Sequence, residues 1–347
     1  MEIKDLVDYL RGYDGREITI MEVCGSHTAA IAKNGIKNIL SDKIKLVSGP
    51  GCPVCVTPSA YIDKLIELSL EPDTTVLTFG DLIRVPGSKE SLGQAKTRGA
   101  KVEMVYSPMD AIARAKEEPD TCFVFAAVGF ETTAPVYTLL LDQIVRNNIY
   151  NIKLLTALKT MPAVIDTLLT QGAKIDGFVA PGHVSTVTGY GIFEPLAKKH
   201  KLPFAVAGFG GEELIIALYG LVKSIEANED SVKNYYTSVV VRESNPTIEA
   251  KKDKYFTICD ANWRGVGQVP GSGLMLREEY ARLDAGSFGL DEDIKKNKAC
   301  RCGEILRGQA SPKDCPLFGK VCTPQTPQGA CMVSYEGCCF TAYDTMN

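Results

Sequence analysis

The sequence predicts an α/β protein of parallel sheets with crossover helices, followed by a loop-dominated C-terminal region. Three observations carry this. Short apolar runs recur along the chain, each followed by a turn rich in glycine and polar residues and then by an amphipathic stretch. That rhythm stops near Cys259, after which Gly, Pro and Cys dominate (GQVPGSG, then a crowd of cysteines). The chain has 347 residues, more than one ordinary domain, so two or three are expected.

Taken in order, EITIMEV (17–23) predicts a strand running into Cys24-Gly25-Ser26-His27-Thr28 and a helix through AAIAKNGIKNIL. KIKLVSG (43–49) runs into PGCPVCVTP and a helical AYIDKLIELSL, with Thr57 as N-cap and Pro58 as first helical residue. TTVLTFG (74–80) precedes DLIRVPG, and TCFVFAAVGF (121–130) meets ETTAP and a helical VYTLLLDQIVRNN. IDGFVA (175–180) meets PGHVSTVTG, and LPFAVAGF (202–209) meets GGEELIIALYGLVKSI. In open parallel sheets, ligands bind beyond the carboxyl ends of the strands, where loops and helix N-termini gather. The chemically capable residues fall on those loops: Cys24 and His27, Cys52 and Cys55, Asp81, Glu131, Thr132 and Thr133, His183 and Ser185, and Glu212. Turn formation accounts for the glycines there. It does not account for the Cys, His, Glu and Thr beside them.

Composition narrows the function. Hydrophobic residues make up 45% and charged residues 23%, which excludes a disordered or collagen-like chain. A net charge of −4 offers no basic excess to neutralise phosphates, so nucleic acid is not an expected partner. The longest apolar stretch, Cys122 to Phe130, is about half a membrane span, so no membrane partner is expected either. The opening MEIKDLVDYLRGYDGRE is polar and lacks the apolar core of a signal peptide, and a cytoplasmic location is expected. Twelve cysteines are abnormal for such a chain, because the cytosol keeps thiols reduced. Cys122 and Cys259 stand alone and are expected to be small buried hydrophobes. His200, in AKKHKLP, is expected to be solvated.

Cys24 sits at a strand end immediately before a helix, where the positive end of the helix dipole stabilises a thiolate. That placement suits a nucleophile or a soft-metal ligand, with His27 three residues on as base or hydrogen-bond partner; it equally suits a buried cysteine beside a capping Ser or Thr. Gly49-Pro50-Gly51-Cys52-Pro53-Val54-Cys55 is sharper. C-x-x-C before a helix is a redox-dithiol arrangement, and half of a zinc site would need a second such pair, which the sequence lacks. In GFETTAP and PGHVS, Glu131, Thr132 and His183 offer acid–base and hydrogen-bonding groups, although helix capping alone would explain Thr132, Thr133 and Ser185.

The densest signal is C-terminal. Cys300, Cys315, Cys322 and Cys339 fall in a loop-rich segment, with Cys302, Cys331 and Cys338 interspersed and no histidine among them. An all-thiolate set indicates an iron–sulfur cluster or a four-cysteine zinc site, and the absence of close C-x-x-C pairs favours iron–sulfur. Either metal would help a region with little core to fold.

Together MEVCGSHT, GPGCPVCVTP, GFETTAP, PGHVS and DCPLFGKVCTP…GACMVSYEGCC, in this order over nearly the whole chain, resemble the motifs of the HypD family of hydrogenase maturation factors. The resemblance implies two similar parallel-sheet α/β domains facing a cleft, with a loop-rich C-terminal iron–sulfur domain. The expected boundaries are 1–131, 132–250 and 251–347, with the chain allowed to cross between the α/β domains. It implies a scaffold on which the Fe(CN)2CO unit of [NiFe]-hydrogenases is assembled, together with a HypC-type chaperone and a HypE-type cyanide donor. By position, Cys24 would be the thiolate holding the iron, reachable in the cleft and with a depressed pKa. Cys52 and Cys55 would be the redox dithiol, and Cys300, Cys315, Cys322 and Cys339 the ligands of a [4Fe-4S] cluster, Cys302 and Cys338 being the near neighbours of the outer two. His27, Glu131, Thr132 and His183 would belong to the reaction site, and His27, Thr28, Thr132, Thr133 and His183 are candidate donors to cyanide nitrogens. GFGGEEL (208–214) stands where a GFEP-like loop is expected, so Glu212 is given no role. A reading of another class is a thiol–disulfide oxidoreductase centred on the C-x-x-C, with a structural C-terminal metal site and Cys24 in the core. A nucleotide-binding protein has only Gly208-Phe209-Gly210-Gly211 in its favour, which lacks the spacing of a phosphate loop.

Overall fold

The apolar runs build two sheets, and the chain visits each sheet twice. The computed structural model describes residues 2–290, 292–294 and 297–346. In chain order the elements are α1 (Ile3–Arg11), β1 (Ile18–Glu22), α2 (Gly25–Lys33), β2 (Ile44–Ser48), α3 (Ser59–Ser69), β3 (Thr74–Thr78), α4 (Leu92–Ala95), β4 (Val102–Met104) and α5 (Asp110–Glu117). There follow β5 (Cys122–Gly129), α6 (Ala134–Arg146), β6 (Ile152–Lys159), α7 (Met161–Thr170), β7 (Gly177–Ala180), α8 (Gly182–Thr188), α9 (Glu194–His200), β8 (Phe204–Val206), α10 (Gly211–Glu226) and β9 (Val232–Asn234). The last are α11 (Pro246–Tyr255), β10 (Phe256–Trp263), β11 (Gly267–Leu276), α12 (Cys302–Leu306) and α13 (Cys338–Asp344). Among the described residues no helix is long and apolar enough to cross a membrane.

The first sheet has the order β2-β1-β7-β8-β9 and is parallel throughout. The second has the order β10-β11-β6-β5-β3-β4, parallel from β6 to β4 and antiparallel at the β10–β11 hairpin. The first sheet thus takes residues from 18–48 and 177–234, and the second from 74–159 and 256–276. Each contains a switch point, where chain-adjacent strands diverge to opposite sides: β1 lies between β2 and β7, and β3 between β4 and β5. Loops leaving the carboxyl ends of such strands open a crevice. Cys24 and Pro181-Gly182-His183 leave β1 and β7 at the first crevice, and Phe79-Gly80-Asp81 and Phe130-Glu131 leave β3 and β5 at the second.

Alternation along β1 sets the layers. Ile18 and Ile20 point to one face and pack with Leu10, Leu214 and Leu218 from α1 and α10. Met21 and Val23 join another cluster that holds Cys52, Cys55, Phe130, Trp263 and six C-terminal cysteines. Each such apolar side chain contributes roughly 1.5–3 kcal/mol on full burial. The second sheet therefore does not stand apart from the first: Trp263 from β10 stacks on Phe130 at 5.6 Å in the shared cluster.

Several sequence expectations need correction. GQVPGSG, expected as loop, is the start of β11. Its glycines serve the strand: Gly271 takes a positive φ of 62°, and a side chain at Gly273 would come within 2.7 Å of Cys259 Sγ. Cys122 and Cys259 are only partly buried: Cys122 is the first residue of β5, and Cys259 lies on β10, the edge strand of its sheet. His200 is not solvated, because its Nε2 lies 2.6 Å from Asp166 Oδ1 and Lys199 shares that carboxylate. Helix α3 begins at Ser59, and the Thr57 hydroxyl donates to Pro53 O instead of capping.

Candidate metal and dithiol site

Cys24 is the N-cap of α2, and its own N–H donates to Glu22 Oε2 at 3.0 Å. The Thr28 hydroxyl donates to the other oxygen, Glu22 Oε1, at 2.5 Å. Burial is nearly complete, with Cys24 only 7% exposed. The helix-start expectation of a depressed pKa and an open thiol is therefore overturned. Burial, with the Glu22 and Glu336 carboxylates adding to it, pushes the thiol up to about 12, against the backbone N–H groups of His27 and Ser26. Two partial charges at a helix start do not outweigh desolvation and two carboxylates.

The neighbours of Cys24 come from three parts of the chain. Gly25 N–H donates to Gly51 O at 2.9 Å, and a side chain at Gly51 would meet Cys24 N at 2.2 Å. The C-x-x-C loop therefore rests directly on the Cys24 backbone, and only glycine permits that approach. Ser26 donates to Glu336 Oε1 at 2.7 Å and stands 3.4 Å from His183 Nδ1. His183 stacks on Phe209 at 4.0 Å between centroids, and His27 packs against the same ring at 4.7 Å.

His27 is fully buried, with Nε2 at 3.1 Å from both Ala207 O and Gly208 O. Carbonyls only accept, so the proton sits on Nε2 and Nδ1 is bare; that atom has no partner among the described residues. Burial pushes the imidazole down to about 4, the two carbonyls opposing, so it is neutral. As candidate donors to cyanide, His27 and Thr28 are therefore already committed, to backbone carbonyls and to Glu22.

Cys52 and Cys55 form a disulfide across a Cα–Cα distance of 5.2 Å, both buried. Cys55 Sγ lies 3.9 Å from Ala330 O. Ala330 precedes Cys331, which lines a small pocket together with Cys300, Cys302, Cys315, Cys322 and Cys339. Cys338 is not among the pocket-lining residues. Ile305, Phe318 and Met332 complete apolar walls, and the backbone N–H groups of Gln328 and Gly329 point at Cys322 Sγ, the first at 3.3 Å. A side chain at Gly329 would come within 2.9 Å of Cys300 Sγ. Among the described residues no set of three or more His, Cys, Asp or Glu is arranged to hold a single metal ion. The donor set is wholly sulfur, apolar-walled and supplied with N–H···S bonds, which fits an iron–sulfur cluster in chemistry.

Glu131 belongs to the second crevice. Its Oε1 accepts from Met161 N–H at 2.7 Å, while among the described residues the buried Oε2 has no hydrogen-bond partner. Burial pushes this carboxyl up to about 7, backbone N–H groups opposing. Thr132 follows it in the turn before α6, and a side chain at Gly129 would collide with Thr133. Among the described residues no hydrogen bond joins Glu131 or Thr132 to Cys24 or His183.

Sequence reasoning missed Glu22, Ser26, Phe209, Arg264 and Glu336. Glu22 and Glu336 had a readable signal, since each lies two residues before a cysteine of interest. Phe209 and Arg264 had none, because only the fold brings them in.

The family model HypD, described as "Hydrogenase formation hypA family", matches residues 2–346. The hydrogenase maturation factor HypD of Rhizobium leguminosarum bv. viciae is 42% identical over 349 aligned residues, covering 97% of this chain and 89% of that protein. A putative hydrogenase expression/formation protein of Methanocaldococcus jannaschii is 41% identical, covering 94% of this chain and 92% of its own length. The HypD of Azotobacter vinelandii is 40% identical, over 94% of this chain and 89% of its own. With the match running from end to end, the chain belongs to the HypD family of hydrogenase maturation factors.

Proposed function

We propose that this chain is the scaffold on which, with a HypC-type chaperone and a HypE-type cyanide donor, the Fe(CN)2CO unit of [NiFe]-hydrogenases is assembled. The observation that carries the reading is the stacking of three sulfur sites. Cys24 touches the C-x-x-C loop through Gly51, and that loop touches the cysteine pocket through Ala330.

Cys24 is the residue that holds the iron substrate. Without a cation its thiol stays protonated, which makes it a poor free nucleophile. Two carboxylates beside it favour a divalent cation, and coordination supplies the charge that lets the thiol ionise. Soft sulfur suits an iron carrying cyanide and carbon monoxide. His183, exposed beside Ser26 and stacked on Phe209, is a candidate side-chain donor there.

Cys300, Cys315, Cys322 and Cys339 hold a [4Fe-4S] cluster, which supplies single electrons when bound. Cys339, which lines the pocket, is favoured over Cys338, which does not. Cys52 and Cys55 store an electron pair as thiols and release it as the disulfide closes. Glu131, a carboxyl near neutrality in its crevice, is suited to hold or pass a proton. Thr132 stands beside it. A free-standing thiol–disulfide oxidoreductase is disfavoured by the burial of both sulfurs, which denies a protein substrate the in-line approach that exchange needs.

The test is infrared spectroscopy of the chain co-produced with its HypC-type chaperone. Paired cyanide and carbon monoxide stretches are expected, and their loss in Cys24→Ser with the fold intact. Bands that persist in that variant overturn the assignment of Cys24.

A further inference from the structure

A buried guanidinium that the proposed function has not used is tied to the segment that directly follows the dithiol. Arg264 is 8% exposed. Its N–H donates to Val56 O at 2.8 Å, its Nε to Thr57 O at 2.6 Å and its Nη2 to Pro86 O at 2.9 Å. Val56 and Thr57 are the two residues that follow Cys55. On the other side, the next residue presses on the pocket. A side chain at Gly265 would meet Gly303 Cα at 2.6 Å, and Arg307 donates to Gly265 O at 3.1 Å. Gly303 directly follows Cys302, which lines the pocket.

Among the described residues its counter-ion is one carboxylate, Asp293, with Oδ1 at 3.5 Å from Arg264 Nε. Asp293 is not a tight partner. Its Oδ2 accepts from Gly265 N–H at 3.1 Å, and its Oδ1 also accepts from Ser59 N–H at 3.4 Å. A carboxylate shared among three donors neutralises a buried guanidinium only in part. A structural clamp alone would not require charge, since a neutral donor could tie the same carbonyls.

We propose that Arg264 is a positioning residue that sets the redox poise of the Cys52–Cys55 pair and holds that pair against the cysteine pocket. Reduction of the disulfide takes up two electrons and at least one proton, breaks the S–S bond and leaves a thiol with a thiolate, or two thiols after a second proton. The disulfide is neutral and gains nothing from a nearby cation. The thiolate does gain, so a fixed positive charge favours the reduced pair. This deepens the proposed function and rests on its reading of the dithiol as redox-active.

The experiment equilibrates the purified full-length protein anaerobically in a dithiothreitol redox buffer, which supplies and accepts the electron pairs. Thiol trapping and mass spectrometry then read the ratio of reduced to oxidised Cys52–Cys55. Arg264→Met should lower that ratio about tenfold at fixed buffer, about 30 mV for a two-electron couple. Arg264→Lys, which keeps the charge, should stay within about threefold of the unmodified chain. Asp293→Asn, which strips the counter-charge, should raise the ratio. The opposite signs at 264 and 293 are what loosened packing does not produce.

Equal ratios in all three variants overturn the proposal, as does a fall in Arg264→Lys as large as in Arg264→Met. Should Arg264→Met not fold, the Asp293→Asn and Arg264→Lys pair decides alone. If the unmodified pair never reduces across the buffer series, the redox reading of the dithiol fails instead, and no variant ratio is then defined. Iron and sulfide content, measured on the same samples, reports separately on the cluster.

Discussion

Replacing Gly51 by alanine should part the Cys24 loop from the dithiol, and the cost can be worked from the contacts. The added Cβ would stand 2.2 Å from Cys24 N, 2.5 Å from Val23 C and 2.6 Å from Cys24 Cα. All three are backbone atoms of the β1–α2 junction, so no side chain can swing aside. Overpacking of that kind costs about 1–3 kcal/mol. Displacing the loop also stretches the Gly25 N–H···O Gly51 bond, 2.9 Å long, worth about 1 kcal/mol. The sum is about 2–4 kcal/mol. With 347 residues at ~2.1 cal/mol/K each, the unfolding entropy is about 0.7 kcal/mol/K, so Tm should fall by about 3–6 °C. Gly93→Ala is the control, because it lies in α4 with nearest neighbours at 3.3 Å and should change Tm by less than about 1.5 °C. Differential scanning calorimetry under anaerobic conditions reads both. Alkylation of Cys24 should also quicken in Gly51→Ala, as its lid lifts. A Gly51→Ala protein as stable as Gly93→Ala, with Cys24 no more reactive, would refute the claim that the two motifs are packed together.

Single Cys→Ala changes at 300, 315, 322 and 339 should lower iron and sulfide after anaerobic purification, whereas Cys338→Ala should retain them; the reverse at 338 and 339 would shift the ligand register. Glu131→Gln keeps the acceptor for Met161 N–H and removes a carboxyl whose pKa is raised from 4.5 to about 7. A raised folded pKa means that stability is lost as pH climbs from 4.5 to 7, so the variant should gain up to about 3 kcal/mol over the parent across that window and hold it above; a pH-independent difference in Tm would sink this. His27→Gln, tested at pH 7, should destabilise by about 1–3 kcal/mol, because a shorter reach leaves Ala207 O or Gly208 O without its donor.

Strands of the two sheets were legible where apolar runs were long, as in Cys122–Gly129 and Ile18–Glu22, because strand periodicity and burial act locally. Val102–Met104 and Val232–Asn234, three residues each, carried no such signal. The β10–β11 hairpin was hidden for a different reason. Its glycines and proline look like loop, and only the partner strand shows that they make room for Cys259 and turn the edge. The motifs located the site loops, since strand-end placement follows from order along the chain. They did not yield the state of Cys24. Its exposure depends on Gly51 and Glu336, which lie 27 and 312 residues away in sequence.

Two irregularities lie just beyond the carboxyl ends of sheet strands. Among the described residues His27 Nδ1 and Glu131 Oε2 are buried polar atoms without hydrogen-bond partners; His27 lies in the first turn of α2, which follows β1, and Glu131 in the turn that follows β5. Leaving such an atom dry costs about 1–3 kcal/mol, which an apolar residue of the same size would avoid. Cys24 adds a third such cost, a thiol hemmed in by two carboxylates. A chain selected for stability alone would place leucine or valine at these positions, as it does one residue before Cys24 at Val23 and three before Glu131 at Val128. Local rules are broken where function demands it. The three departures fall at two crevices and not at one, with His27 and Cys24 beside β1 and Glu131 beside β5. That separation argues for a division of labour: soft, cation-attracting chemistry at the first crevice, and a carboxyl poised near neutrality at the second.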